Sequence, residues 1–364
     1  MPSPRRILLL ITDLEIGGTP TVVRELALRL ASACHIHVAS LAPRGPVADQ
    51  IRSAGVPVTP LNARGPLDLA VLPRLASLIR THEFDTLFSF LIHANAVAAA
   101  ASLIFPHIRY IQSIQTTQPT PRWHWALQRL IHTVADRIVV PSPSVAHAAQ
   151  DWAGVPLHRI EIIPNAVDLA DFSPISSPPP QTRPFPIAFI GRLDPIKCIP
   201  DLLHAVRILK GLVHLHIFGS GPQRPAIESL ITTLSLAPLV TLHGPVARPQ
   251  DALAHAALLV LPSAAEGFGL VLIEAMAARV PIVATNVPGI RDVLRDGHTA
   301  LLVPKNSPDR LAQAIARVTT DADLRRRLIN TASADVAQRF SWPKVIPQYR
   351  QLLALPTQPL PTDN

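Results

Sequence analysis

Ser263-Ala264-Ala265-Glu266-Gly267-Phe268-Gly269-Leu270-Val271-Leu272-Ile273-Glu274-Ala275-Met276 passes from the end of a strand through a glycine loop into a helix. Residues 257–261 just before it read as a short buried strand. Residues 270–278 read as an apolar helix, with Gly267 and Gly269 punctuating the turn between them. A strand that turns at once into a helix is the first half of a parallel βα unit. Such a helix start presents N–H groups without intrahelical partners and the positive end of the helix dipole, a place for an anion. Glycines there let the backbone approach a ligand closely. Glu274 falls in the first turns of this helix, between Ile273 and Met276. A carboxylate so placed requires donors, which sugar hydroxyls or a buried cation supply. Glu266, in the loop, reads either as an acceptor for further hydroxyls or as a solvated loop acid.

The same alternation extends outward in both directions. Downstream of residue 184, strands are expected at 186–191, 214–218, 240–243, 257–261, 281–285 and 300–303. Helices are expected at 201–210, 223–236, 270–278, 307–318 and 322–339, with a last one near 344–355. Upstream, strands at 7–12, 36–41, 56–61, 86–90, 109–113 and 137–141 alternate with helices at 21–33, 46–54, 68–81, from about 94, and at 123–134. Between the halves lies Ser173-Pro174-Ile175-Ser176-Ser177-Pro178-Pro179-Pro180-Gln181-Thr182-Arg183-Pro184, which sustains neither a helix nor a central strand. The expected organisation is an α/β fold of two doubly wound, Rossmann-like domains facing across a cleft. Residues 1–172 form the first domain, 173–184 a linker and 185–340 the second. Residues 341–364 form a C-terminal helix and tail crossing back to the first domain. Ligands of such sheets bind at the carboxyl ends of the strands.

Composition narrows the function classes. The chain has 364 residues, 48% of them hydrophobic, with 33 Lys+Arg against 25 Asp+Glu and a net charge of +8. Two domains are the expectation for that length, and disorder is excluded. Cys34 and Cys198 have neither disulfide-framework nor metal spacing, which fits a reduced, cytoplasmic setting. The longest apolar stretch, residues 94–105, is too short to span a bilayer, which takes about 20 residues. The 39 prolines fall mostly between elements and read as loop stiffening. The basic excess points to an anionic partner. Nucleic acid is not expected, because no basic stripe with stacking aromatics is present. An anionic membrane surface or a phosphorylated substrate fits the charge. Arg5, Arg6, Arg24, Arg29, Arg122 and Arg129 are the candidate membrane contacts of the first domain. Trp123-His124-Trp125 on a first-domain helix reads as ordinary packing, with sugar stacking or headgroup contact as the functional alternative. Asp321-Ala322-Asp323 reads as a helix cap rather than a metal site.

Two glutamates seven residues apart around Gly267-Phe268-Gly269 resemble the signature of the family 4 glycosyltransferases. These are retaining, nucleotide-sugar-dependent enzymes of the GT-B fold, also described as glycosyl transferases group 1. Further motifs follow in the family's order: Gly17-Gly18, Pro164-Asn165-Ala166-Val167-Asp168, Gly191-Arg192-Leu193 with Lys197, Gly219-Ser220-Gly221-Pro222, Val287-Pro288-Gly289, and Phe340-Ser341-Trp342. The resemblance implies that Arg192 and Lys197 hold the donor diphosphate, a planar fork and a point charge respectively. It implies that Glu274 binds the ribose and Glu266 the donor sugar. The backbone at Phe268, Gly269 and Leu270 would meet sugar and phosphate, and Gly18 would approach the diphosphate from the first domain. Arg192, Lys197 and Glu266 are then the catalytic candidates. His93 and Gln115, on loops after the fourth and fifth strands, are the acceptor-side candidates. No metal and no cofactor besides the nucleotide sugar are expected. The acceptor is expected to be a lipid-linked or polysaccharide glycan, met by a cytoplasmic enzyme that visits the inner face of the membrane.

The chain departs from the family pattern at several points. Thr19-Pro20-Thr21 stands where the family has Ala-Glu-Arg, Cys198 and Ala166 stand where it has glycine, and Gln115 stands nearest the position of a histidine. Gln donates and accepts hydrogen bonds but is no base. A dinucleotide-dependent oxidoreductase is set aside, since neither half carries Gly-x-Gly-x-x-Gly after its first strand. A nucleotide-sugar epimerase, which needs no separate acceptor, and a non-catalytic glycosyltransferase-like binding protein remain as alternatives.

Overall fold

The chain contains enough buried aliphatic strands for two separate parallel sheets. The computed structural model describes residues 5–65, 68–172 and 183–356, and the chain divides in it into two units. One holds the residues up to Asn165 together with those from Pro343 onward, and the other is Ala166–Trp342. The proline-rich segment 173–182 lies outside the described residues.

The first unit runs β1 (Arg6–Ile11), α1 (Gly18–Leu30), β2 (His35–Ser40), α2 (Pro46–Ser53), β3 (Val58–Pro60), α3 (Val71–His82), β4 (Thr86–Phe90), α4 (Ile92–Ile104), β5 (Arg109–Ser113), α5 (Arg122–Ile131), β6 (Arg137–Val140), α6 (Pro143–Ala153) and β7 (Ile160–Ile162). Its parallel sheet has the order β3-β2-β1-β4-β5-β6-β7. Ile7, Leu8, Leu9, Leu10 and Ile11 of the central strand are fully buried, as expected of a parallel strand covered on both faces.

The second unit runs β8 (Phe185–Ile190), α7 (Ile199–Ile208), β9 (Val213–Phe218), α8 (Arg224–Thr233), β10 (Val240–Gly244), α9 (Pro249–Leu253), β11 (Leu259–Leu261), α10 (Leu270–Ala277), β12 (Ile282–Thr285), α11 (Pro288–Val293), β13 (Leu301–Val303), α12 (Pro308–Thr320) and α13 (Ala322–Arg339). Its sheet order is β10-β9-β8-β11-β12-β13. The unit begins at Ala166, ahead of the boundary at 172 read from the sequence. The Val167 N–H donates to the Phe340 carbonyl (2.8 Å) and Val167 bridges to Ser341, which ties 166–172 to the end of α13. The last helix, α14 (Trp342–Leu352), belongs from Pro343 on to the first unit. There Tyr349 is buried beside Phe88, and the Arg109 guanidinium donates to the Leu352 carbonyl (2.6 Å).

The prolines do more than stiffen loops. Pro46, Pro143, Pro249, Pro288 and Pro308 each open a helix, and Pro200 and Pro225 are second residues of α7 and α8. The missing N–H of proline is no loss in a first turn, and its fixed φ already suits the helix. This accounts for α6, α9 and α11, three helices absent from the sequence expectation, the last two of them short. β7, three residues long, was also missed. Asp321 caps α13, accepting from the Leu324 N–H at 2.8 Å.

Each unit carries a histidine that resists protonation. Burial, with His82 beside it, holds His37 down to about 4. Burial, with His214, His243 and His255 around it, holds His216 down to about 4. In the unfolded chain these rings return to about 6.5. Between pH 6.5 and 4 the unfolded chain therefore binds more protons, and stability falls as the pH drops through that window. The melting temperature is expected to decline from pH 7 to pH 4.5, with a shallower decline in His216→Gln. A flat profile over that range would contradict the assignment.

Candidate functional site

In the second sheet the strand order reverses between β8 and β11, which lie side by side. Connections leaving neighbouring parallel strands at such a reversal run to opposite faces and leave a crevice at the strand ends. The segment after β8 carries Arg192 and Lys197. The segment after β11 carries Glu266, Phe268 and Gly269 and enters α10 at Leu270. The two segments are joined by backbone, the Ala264 N–H donating to the Ile196 carbonyl at 2.8 Å.

Across this junction the Lys197 ammonium donates to Glu266 Oε1 at 2.5 Å, and the Ser263 hydroxyl donates to the same oxygen at 2.7 Å. The Lys197 side chain is 19% exposed and that of Glu266 10%. Ser263 is itself fixed, its carbonyl accepting from Thr285 Oγ1. Arg192 is 72% exposed and lies on Asp194, with Nε 2.7 Å from one carboxylate oxygen and Nη2 donating to the other at 3.1 Å. Asp194 was not among the candidates read from the sequence. Its signal was its place two residues after the arginine, close enough to orient the guanidinium fork.

Gly269 is the left-handed cap of α10 (φ 77°), and no side chain caps the helix there. The Phe268 side chain is buried edge-on against Phe340 (5.4 Å), which anchors the loop. Glu274 is buried on α10 and Leu270 is half-buried at its start. Gly289, the second residue of α11, lies so close that a Cβ would stand 2.0 Å from the Glu266 carbonyl oxygen. Arg192, Lys197, Glu266 and Glu274 thus belong to adjoining segments of one unit. The combination of two cations, an uncapped helix start and two buried carboxylates is chemically suited to a phosphate that bears a polyol.

Gly18, His93 and Gln115 belong to the first unit, where the strand order reverses between β1 and β4. Gly18 is the first residue of α1. Pro20 is its third residue. His93, in the first turn of α4, packs against Trp123 (5.8 Å) and His124 (6.1 Å). Gln115 Nε2 donates to Ser113 Oγ at 2.6 Å. Beneath these strand ends lies a buried polar network invisible in the sequence. Ser89 donates to Asn95 Oδ1 (2.7 Å), Asn95 Nδ2 to the Ser113 carbonyl (2.9 Å), Tyr110 to the Asn95 carbonyl (2.8 Å), and Gln128 to Gln112 (2.5 Å). It fixes β4, α4, β5 and α5 relative to one another, and so positions His93 and Gln115.

Cys198, after the lysine, has φ 48°. Left-handed backbone costs an L-residue roughly 1–2 kcal/mol, partly offset for glycine by its larger unfolded-state entropy. Cys198→Gly is expected to raise stability by about 0.5 kcal/mol, and β-branched Cys198→Val to lower it by about 1–2 kcal/mol. Chemical denaturation distinguishes the two, and a destabilised glycine variant would contradict the account. Among the described residues no three His, Cys, Asp or Glu side chains gather to hold a metal ion.

Comparison with known proteins agrees with the two-sheet fold. Residues 16–171 match the family described as Glycosyltransferase Family 4, and residues 184–321 match Glycosyl transferases group 1. D-inositol 3-phosphate glycosyltransferase of Paenarthrobacter aurescens is 32% identical over 62% of this chain and 59% of its own length. The enzyme of that name from Acidothermus cellulolyticus is 28% identical over 97% of this chain and 91% of its own. For the first of these relatives the match thus spans about three-fifths of its length. Among solved structures, Anabaena HepE in complex with UDP and glucose superposes with a TM-score of 0.87 at 22% identity, covering 96% of this chain and 99% of that one.

Proposed function

The chain belongs to the family 4, group 1 glycosyltransferases, and from that premise we propose that it moves a hexose from a UDP- or GDP-sugar to a lipid-linked or polysaccharide glycan. The observation that carries the proposal is the Lys197–Glu266 pair beside the uncapped start of α10, at the strand reversal of the second unit. In this reading Arg192, Lys197 and the helix terminus receive the diphosphate. Glu274 accepts from the ribose hydroxyls and Glu266 from the sugar. The departing diphosphate takes the acceptor proton on the face it leaves, so the anomeric configuration is retained. No metal or further cofactor is required. The cations stabilise charge that grows in the transition state. His93 and Gln115 serve the acceptor.

A thermal-shift screen over common nucleotide sugars tests the donor, since a ligand that binds only the folded chain raises the melting temperature. No shift with any of them would sink the proposal. Turnover with the selected donor is then measured with glycan and lipid-linked acceptors, in EDTA, and the product linkage is read by proton NMR. The relatives named for inositol 3-phosphate make a phosphorylated polyol the comparison acceptor. Conversion without acceptor would indicate an epimerase, and binding without conversion a binding protein. An inverted linkage would overturn the mechanism.

A further inference from the structure

We propose that α4 and α5 of the first unit form the face by which this protein docks on an anionic phospholipid bilayer. The inference rests on the lipid-linked acceptor proposed above and names the surface that would deliver it.

Three independent observations converge on these helices. The first is exposure. Of the large apolar side chains that the fold leaves open to water, most belong to the first unit, and many of those cluster on α4, α5 and their successors. Leu103 (71%) and Ile104 (47%) end α4, while Trp123 (51%) and Leu130 (70%) lie two turns apart on α5. Trp152 and Leu157, on and after α6, are exposed too. The two helices pack side by side, and His93 of α4 meets Trp123 of α5. The sequence favoured packing for Trp123-His124-Trp125. The structure divides the pair: Trp125 is buried and donates to the Gln118 carbonyl, whereas Trp123 faces outward.

The second observation is charge. Residues 86–135 contain no aspartate or glutamate at all, but do contain Arg109, Arg122 and Arg129. No carboxylate of α4 or α5 would therefore repel an anionic surface. The third is the state of the arginines. Of the six read as membrane contacts from the sequence, Arg24 and Arg29 both hold Glu25, while Arg5 and Arg6 reach Asp85 and Glu83. Among the described residues Arg122 and Arg129 make no ion pair. The sequence expectation of six contacts thus narrows to the two that flank Trp123 and Leu130.

The chemistry of the patch selects a bilayer. Tryptophan is favoured at the level of the headgroups, leucine and isoleucine below it, and arginine against the phosphates. A second copy would set the like-charged arginines of one patch against those of the other. No helix among the described residues is long and apolar enough to cross a membrane, so attachment here is to the surface.

The test uses the whole chain. Wild type is expected to co-sediment with vesicles containing phosphatidylglycerol at least tenfold better than with phosphatidylcholine alone, and to be released by 0.5 M salt, which screens beyond a few ångströms. Trp123→Ser with Leu130→Ser is expected to lower that partition at least tenfold with the melting temperature unchanged, as is Arg122→Gln with Arg129→Gln. Brominated lipid is expected to quench wild-type tryptophan fluorescence and to lose most of that effect in Trp123→Phe. Equal or negligible binding to both vesicles, undiminished binding by the variants, or a dimer that dissociates in Trp123→Ser with Leu130→Ser would each overturn the proposal. Nucleotide-sugar thermal shifts on the same samples separate the two ideas. A donor shift without vesicle binding removes the docking face alone, and vesicle binding without a donor shift removes the transferase reading.

Discussion

Lys197→Ala is expected to lower kcat by about 100-fold or more, on the scale of removing one preorganised charge donor. Its ammonium lies on Glu266, shared with the Ser263 hydroxyl, in a junction where both side chains are largely buried. In the proposed mechanism a donor diphosphate competes with Glu266 for that ammonium, and the charge it offers grows as the sugar departs. The loss should therefore fall more on kcat than on donor affinity. The same substitution removes one cationic partner of a buried carboxylate. Breaking a buried pair costs about 3–5 kcal/mol; the bonds that Glu266 keeps, the one from Ser263 among them, reduce this to about 2 kcal/mol here. Lys197→Ala with Glu266→Gln removes the stranded charge, so it should recover stability without recovering turnover. Recovery of both would mean that Lys197 acts only by neutralising Glu266. Arg192→Ala is expected to act in the same direction. Since Arg192 is exposed, its substitution should change the melting temperature little.

Gly219→Ala is expected to destabilise the second unit by at least about 3 kcal/mol, among the largest effects of a single methyl group. Gly219 has φ +147°, and a Cβ on it would stand 1.9 Å from the Gly191 carbonyl oxygen. That carbonyl is backbone. The neighbouring loop is in turn fixed by the Gly191 N–H on the Phe218 carbonyl (3.0 Å) and the Leu193 N–H on the Ser220 carbonyl (2.9 Å). No side chain can swing away to make room, so the segment carrying Arg192 must shift. A fall in melting temperature of roughly 10 °C is expected for a unit of this size, with loss of the nucleotide-sugar shift. Gly211→Ala is the comparison, since its φ is also positive but nothing lies within 4 Å of its Cβ position. That variant should show only the smaller backbone cost. Equal effects of the two alanines would show that conformation, not crowding, sets the requirement at Gly219.

The alternation of strands and helices was legible in the sequence because parallel strands buried on both faces are continuous apolar runs. Ile7-Leu8-Leu9-Leu10-Ile11, with Asp13 and Glu15 close behind it, reads better as a buried first strand than as the core of a signal peptide. Lys197, Glu266 and Glu274 were legible for a related reason: glycines and charges between apolar elements are local features. The three proline-led helices were not, because proline at a helix start and proline in a loop look alike until the following turn is seen to pack.

What the sequence by itself determined, then, is the order of elements and the loops on which charged residues ride. What only the tertiary structure decided is who meets whom. Lys197 reaches Glu266 across 69 positions, and Asn95, Tyr110, Gln112 and Gln128 bury their polar atoms on one another. Two tryptophans two residues apart on α5 part company, one buried and one exposed. The Lys197 contact and the buried polar network depend on distances between separate segments of the chain, and the fate of each tryptophan depends on what packs over α5. Those distances are set by how the sheets twist and stack, and local propensity, which acts over a few residues, carries no record of them.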